Sequence, residues 1–192
     1  AKPALYRLTL FVRKEDRILE YVPVNVGFGT VSHAEGKVYR NGKPVELRPA
    51  RCDATTPAAL RREIAALKKE GFNTLWPDTP QPWWFYDICD RTGMYVIDQA
   101  NINTSYETGN RRIGGCLSND PAWLPEYMER TQAMFRRSHT HPCIVAWSLG
   151  GQSGNGFNLY RTYLWLRTAD PNRPILYDGA GGEWNNDLPL TR

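Results

Sequence analysis

No stretch of this sequence approaches the roughly 18 consecutive apolar residues of a membrane-spanning helix, so no membrane span is expected. No charged-then-apolar leader opens it, but Ala1 stands where an initiator methionine would, so a removed leader or a longer parent chain is expected and the compartment is open. Histidine is scarce: His33, His139 and His141 fall in no zinc-type spacing. Cys52, Cys89, Cys116 and Cys143 are too far apart for a paired-cysteine metal motif and read as buried free thiols. Charge of one sign is never concentrated. The 24 basic residues are scattered among 20 acidic ones for a net +4, which leaves no stripe for nucleic acid. The pairs Arg61-Arg62 and Arg136-Arg137 read as solvated helix faces.

What is present suits a soluble packed domain. Of the 192 residues 41% are hydrophobic and 23% charged, enough to bury a core. Leu5 to Val12 and Glu20 to Val26 are rich in β-branched, aromatic and leucine residues and predict two antiparallel strands. A second pair, Lys37 to Tyr39 and Val45 to Leu47, flanks Asn41-Gly42, whose tolerance of positive φ suits a tight hairpin.

From Thr56 the pattern changes. A Thr cap, Pro57 and the helical spacing of Leu60, Ile64 and Leu67 predict a helix over 57–70. Helices are likewise predicted over 83–92, from Asp120-Pro121 to about Ser138, and over 157–168, separated by short apolar strands near 75, 96, 145 and 176. With a first strand near 46, five strands alternate with helices, which implies a parallel α/β barrel or a doubly wound sheet. No Gly-x-Gly-x-x-Gly follows the first strand, so dinucleotide binding loses its main support and the barrel is preferred. Eight β-α units take roughly 250 residues, so the fold expected is a partial (β/α)8 barrel behind a β-rich start. Its last strand would expose an edge, for which the remainder of a parent chain, another copy or a partner is the expected cover.

Barrel chemistry gathers where strands end and the following loops converge. Those loops are 51–56, 77–82, 98–106, 148–156 and 178–184. Within them and just before the barrel, Val26-Gly27-Phe28 with Asn41 to Arg48, Val96-Ile97-Asp98-Gln99-Ala100-Asn101-Ile102, His141-Pro142 with Ile144 to Gly150, and Asp170 to Pro174 run in the order and spacing of one known family. The chain resembles family 2 glycoside hydrolases, especially β-galactosidases, over about residues 24 to 180. The family segments read Val-Ile-Asp-Glu-Ala-Asn-Ile and His-Pro-Ser-Ile-Ile-Ile-Trp-Ser-Leu-Gly.

The resemblance implies that residues 1–30 end an immunoglobulin-like sandwich and that 31–192 form the N-terminal portion of a TIM barrel. It also implies retaining glycoside hydrolysis, in which one carboxyl group protonates the leaving oxygen and another attacks the anomeric carbon. The family's acid is the Glu of an Asn-Glu-Ser triplet. Here that triplet reads Gly151-Gln152-Ser153, so an amide of similar shape, unable to give up a proton, fills the acid position, and the Asn that would bond the neighbouring sugar hydroxyl is lost. The nucleophilic Glu would lie beyond Arg192.

The resemblance also assigns magnesium to three positions, occupied here by Asn103, Ser105 and Gln152; with neither carboxylate nor imidazole there, no magnesium and no other cofactor is expected. The loops that carry sugar-facing histidines in the family contain Asp53 and Asp78 instead. Remaining candidates to face a carbohydrate are Asn101, Tyr106, Asp178, Glu183 and the indoles Trp76, Trp83, Trp84 and Trp184, although Trp83 and Trp84, at a helix start, read more readily as core. Trp147 reads as packing. Two functional readings follow: a barrel retained for glycan binding or assembly without hydrolysis, or an active glycosidase in which Asp178 or Glu183 replaces the missing acid.

Overall fold

The computed structural model describes residues 3–105 and 108–190. Two strands, β1 (Tyr6–Lys14) and β2 (Arg17–Val26), pair antiparallel as a two-stranded ribbon. Leu8, Leu10 and Phe11 lie at neighbouring positions of the ribbon, which alternate between its faces, and all three are exposed, so both faces carry uncovered apolar side chains. Asn25 ties the ribbon to the rest of the molecule by donating to Asp87 at 2.8 Å.

A three-stranded antiparallel sheet follows: β3 (Val31–Ala34), β4 (Lys37–Arg40) and β5 (Lys43–Val45). Asn41 and Gly42 both take positive φ, 52° and 74°, as the expected tight turn requires. The first barrel strand does not lie near 46. Lys43–Val45 folds back onto β4, and the parallel sheet begins at β6 (Pro49–Ala50), because the Asn-Gly turn commits the residues beyond it to antiparallel pairing.

The parallel sheet holds β6, β7 (Thr74–Leu75), β8 (Tyr95–Gln99), β9 (Ile144–Ser148) and β10 (Ile175–Leu176), in that spatial order. Each strand pairs with its predecessor in the chain, with no reversal of direction, as in a barrel wall; a doubly wound sheet reverses midway. Helices α1 (Pro57–Lys69), α2 (Trp83–Thr92), α3 (Leu124–Ser138) and α4 (Phe157–Ala169) connect them. Thr56 caps α1 by accepting from the Ala59 amide at 3.2 Å, and Gly93, at φ 67°, ends α2.

Alternation along the strands, interrupted in β9 by a register shift that leaves Val145 as an extra residue, splits the interior into two cores. Leu75, Val96, Ile144, Trp147 and Ile175 pack on the helices through Leu60, Ile64, Phe85, Met134 and Leu166. Trp76, Ile97, Val145, Ala146 and Leu176 face the other way, onto Val31, Val38 and Leu47 of the antiparallel sheet region and onto Leu188. Helices on one face only are the arrangement of a partial (β/α)8 barrel. Arg137 does not join a solvated face: it reaches back to the buried Asp98 at 2.8 Å, whereas Arg61, Arg62 and Arg136 are exposed. No helix among the described residues is long and apolar enough to cross a membrane.

The edge of β10 is not bare. Ile175 donates to the Asp187 carboxylate at 2.6 Å, Tyr177 donates to the Asn186 side chain at 3.1 Å, and the Asp187 amide returns a bond to the Ile175 carbonyl at 2.8 Å. Chain beyond the fifth strand thus occupies that edge itself.

Candidate functional site

The site forms where β6 to β10 end. At the end of β8, successive side chains point to opposite faces and do different work. Asp98 faces the helices, fully buried, and accepts from the Tyr86 hydroxyl and from Arg137, each at 2.8 Å, which locks α2 and α3 to the sheet. Gln99 faces the interior. Its oxygen accepts from the Trp76 indole N–H at 3.3 Å and from the Ser148 hydroxyl at 3.0 Å, and its amide nitrogen donates to the Asp78 carbonyl at 2.8 Å. One neutral side chain therefore holds together the ends of β7, β8 and β9. Sequence reasoning did not single out Gln99; the signal was the Glu that the quoted family segment carries at this position.

The loops after β8 and β9 are bound to each other. The Gly151 amide donates to the Ile102 carbonyl at 2.8 Å, and the Thr104 amide donates to the Ser153 hydroxyl at 2.8 Å. A Cβ on Gly151 would lie 3.3 Å from Asn103 Cγ, so the two positions touch. Asn103, Gly151 and Gln152 are thereby brought together, with Asn103 and Gln152 exposed. Ser105 is also exposed, and Tyr106 lies outside the described residues. Asn101 is exposed, and its carbonyl accepts from Arg130 at 2.9 Å. Asp53, exposed ahead of α1, bonds through its amide to Glu63 at 3.3 Å; Asp78 is exposed at the end of its strand.

The loop after β10 supplies the remaining carboxyl groups. Asp178 is partly buried, and burial pushes its carboxyl above the ordinary Asp value. Glu183 is no solvated loop charge: Arg111 holds one of its oxygens at 2.5 Å and the Tyr160 hydroxyl donates to the other. Trp184, 53% exposed, stacks on Tyr160 with ring centroids 5.2 Å apart and meets Tyr163 edge-on. Of the other indoles, Trp147 is buried packing as expected. Trp76 is buried towards the interior, Trp84 is partly buried against the core, and Trp83, expected in the core, is 75% exposed.

Underneath, buried Asn155 and Asn185 exchange two amide hydrogen bonds, at 3.0 and 2.9 Å, joining the loops after β9 and β10. Tyr177 adds a second tie by accepting from the Ser153 amide at 3.2 Å and donating to the Gly154 carbonyl. Asn103, Ser105 and Gln152 carry only neutral oxygens, two amides and a hydroxyl, a donor set that does not fit magnesium. Cys89, Cys116 and Cys143 are buried free thiols; Cys52 is only half-buried, and burial pushes its thiol up to about 11.

Residues 46–189 match the family described as Glycosyl hydrolases family 2, TIM barrel domain. The chain belongs to glycoside hydrolase family 2. Relatives of this family 2 barrel include Beta-galactosidase 2 of Enterobacter cloacae and a beta-galactosidase of Pectobacterium atrosepticum, each 38% identical across 93% of this chain. The chain spans about 18% of the length of those relatives. Among solved structures, a beta-glycosidase from Bacteroides vulgatus superposes with a TM-score of 0.71 at 19% identity, covering 94% of this chain and 24% of that one. A beta-glucuronidase from Parabacteroides merdae gives 0.69 at 18% identity, with 91% and 24% covered. The fold of a family 2 barrel is thus shared across enzymes named for different sugars.

Proposed function

We propose that this chain is the β-galactosidase-related barrel segment of a carbohydrate-directed protein that binds a glycan at the barrel mouth without hydrolysing it. Within that reading residues 1–30 end a sandwich domain, 31–192 begin the barrel, and further chain completes it. The observation that carries the proposal is Gln152, exposed beside Gly151 and Asn103 at the end of β9, where the resemblance places the proton donor. A positioned general acid or base contributes roughly 100- to 10,000-fold, and an amide supplies none of it. Trp184 on Tyr160 offers an aromatic face for sugar C–H groups.

The test is chromophore release from aryl β-galactosides, glucosides, mannosides and glucuronides by the longest parent polypeptide obtainable, beside cleavage of natural disaccharides. Good leaving groups need little protonation, so turnover of aryl substrates alone means that the nucleophile is present and the acid is missing. Cleavage of disaccharides overturns the proposal.

One observation favours a second reading. Asp178 follows β10, and its raised affinity for a proton is the property that a relocated acid needs. Glu183 is less suited, because Arg111 and Tyr160 already occupy both of its oxygens.

A further inference from the structure

Beside the mouth, between the loop after β8 and the start of α3, lies a cleft of about 190 Å³. It is smaller than the roughly 300–1,000 Å³ of pockets for drug-sized ligands, and nearer the scale of a single sugar ring. Its lining is mixed in a particular way. Trp123, 43% exposed, supplies an aromatic face, Asn101 and Asn103 supply amides, and Glu126 and Arg130 stand four residues apart on α3.

That spacing ordinarily favours an ion pair, yet none forms. Arg130 turns to the Asn101 carbonyl at 2.9 Å, which leaves the Glu126 carboxylate without a hydrogen-bond partner among the described residues. The floor is firm: the Tyr127 hydroxyl meets Thr104 Oγ1 at 3.4 Å and Ser118 Oγ at 2.9 Å, and Ser118 donates to the Ser153 carbonyl at 2.6 Å. The cleft is therefore bonded directly to the loop that carries Gln152.

We infer that this cleft is a second subsite for a neutral hexopyranose unit, adjoining the barrel mouth through Asn103, which lines the cleft and lies against Gly151. The indole covers a C–H face of the ring, the carboxylate accepts from neighbouring hydroxyls, and the amides both donate and accept. Glu126 and Arg130 cancel in charge, which suits a neutral ring better than an acidic one. The inference rests on the proposal that the mouth takes carbohydrate, but its test is separate.

The full-length parent polypeptide is titrated calorimetrically with lactose and cellobiose and with galactose and glucose, as wild type and as Trp123→Ala and Glu126→Gln. The expected result is that each substitution weakens disaccharide binding about tenfold or more, which corresponds to about 1.4 kcal/mol, while monosaccharide binding at the mouth changes less. Glu126→Gln is exposed and isosteric, so its melting temperature should not move, and it keeps the test valid if Trp123→Ala fails to fold. Unchanged disaccharide affinity in both variants overturns the subsite and leaves binding at the mouth. Absence of all sugar binding, with aryl glycosides still turned over, overturns the subsite but not the mouth; silence in both assays overturns the two together.

Discussion

Asp187 grips Ile175 from both sides, its carboxylate accepting the Ile175 amide at 2.6 Å and its own amide donating to the Ile175 carbonyl at 2.8 Å. The same carboxylate receives Arg167 at 2.5 Å and the Tyr163 hydroxyl at 2.6 Å. Asp187→Ala removes all the side-chain bonds and should cost about 3 kcal/mol, the low end for breaking a buried pair, because Arg167 keeps other partners. Asp187→Asn retains an acceptor for Ile175 and should cost roughly half as much. Urea denaturation of both variants measures this; equal losses would mean that the charge, not the strand cap, carries the effect.

His33 on β3 accepts from Arg167 at 2.8 Å, which requires an unprotonated ring nitrogen. Burial, with a smaller contribution from Arg167, pushes the imidazole below its ordinary 6.5, against an opposing pull from Asp187. A group lowered in this way gives stability that is fully present above 6.5 and lost as pH falls through the folded-state value. Melting temperature should therefore decline below pH 6.5 in the wild type and decline less in His33→Gln. Parallel pH profiles would rule out this source.

Under the proposed reading, Gln152→Glu in the longer polypeptide should raise hydrolysis of unactivated disaccharides by roughly 100- to 10,000-fold while barely changing any turnover of aryl substrates with good leaving groups. Glu183→Gln should change either rate by less than about threefold, since its oxygens serve Arg111 and Tyr160. Collapse of a disaccharide-cleaving activity in Glu183→Gln would instead identify it as the acid.

Gly154, at φ 71°, lets the loop after β9 pass the loop after β8 so closely that a Cβ would stand 2.5 Å from the Thr108 carbonyl oxygen. Gly154→Ala should cost about 2 kcal/mol from backbone strain and this clash, readable as a lower melting temperature. An unchanged melting temperature would show that the two loops separate freely.

Much of this architecture was legible because periodicity and turn chemistry are local properties. The caps at Thr56 and Gly93 and the spacing of Leu60 and Ile64 are written within one or two helical turns. The start of the barrel was not, since Val45 to Leu47 looks equally extended whether it pairs backward or begins a parallel wall; long-range pairing with β4 decides it. At the site, the strand-end loops were expected to converge on one face, and the loops that carry Asn103 and Gly151 do meet. The engagement of Glu183 by Arg111, 72 residues away, and the bridging by Gln99 depend on contacts that no short window contains. Trp83 misled because an aromatic at a helix start reads as core until the facing surface is known.

The tryptophans have a spectroscopic corollary. Trp76 and Trp147 are sealed within the protein with their indole N–H groups bonded to Gln99 and Asp170, while Trp83, Trp123 and Trp184 stand on the outside. Emission should thus contain one population shielded from acrylamide and another open to it, so a saccharide would dim or shift the quenchable fraction while the shielded fraction keeps time with unfolding alone.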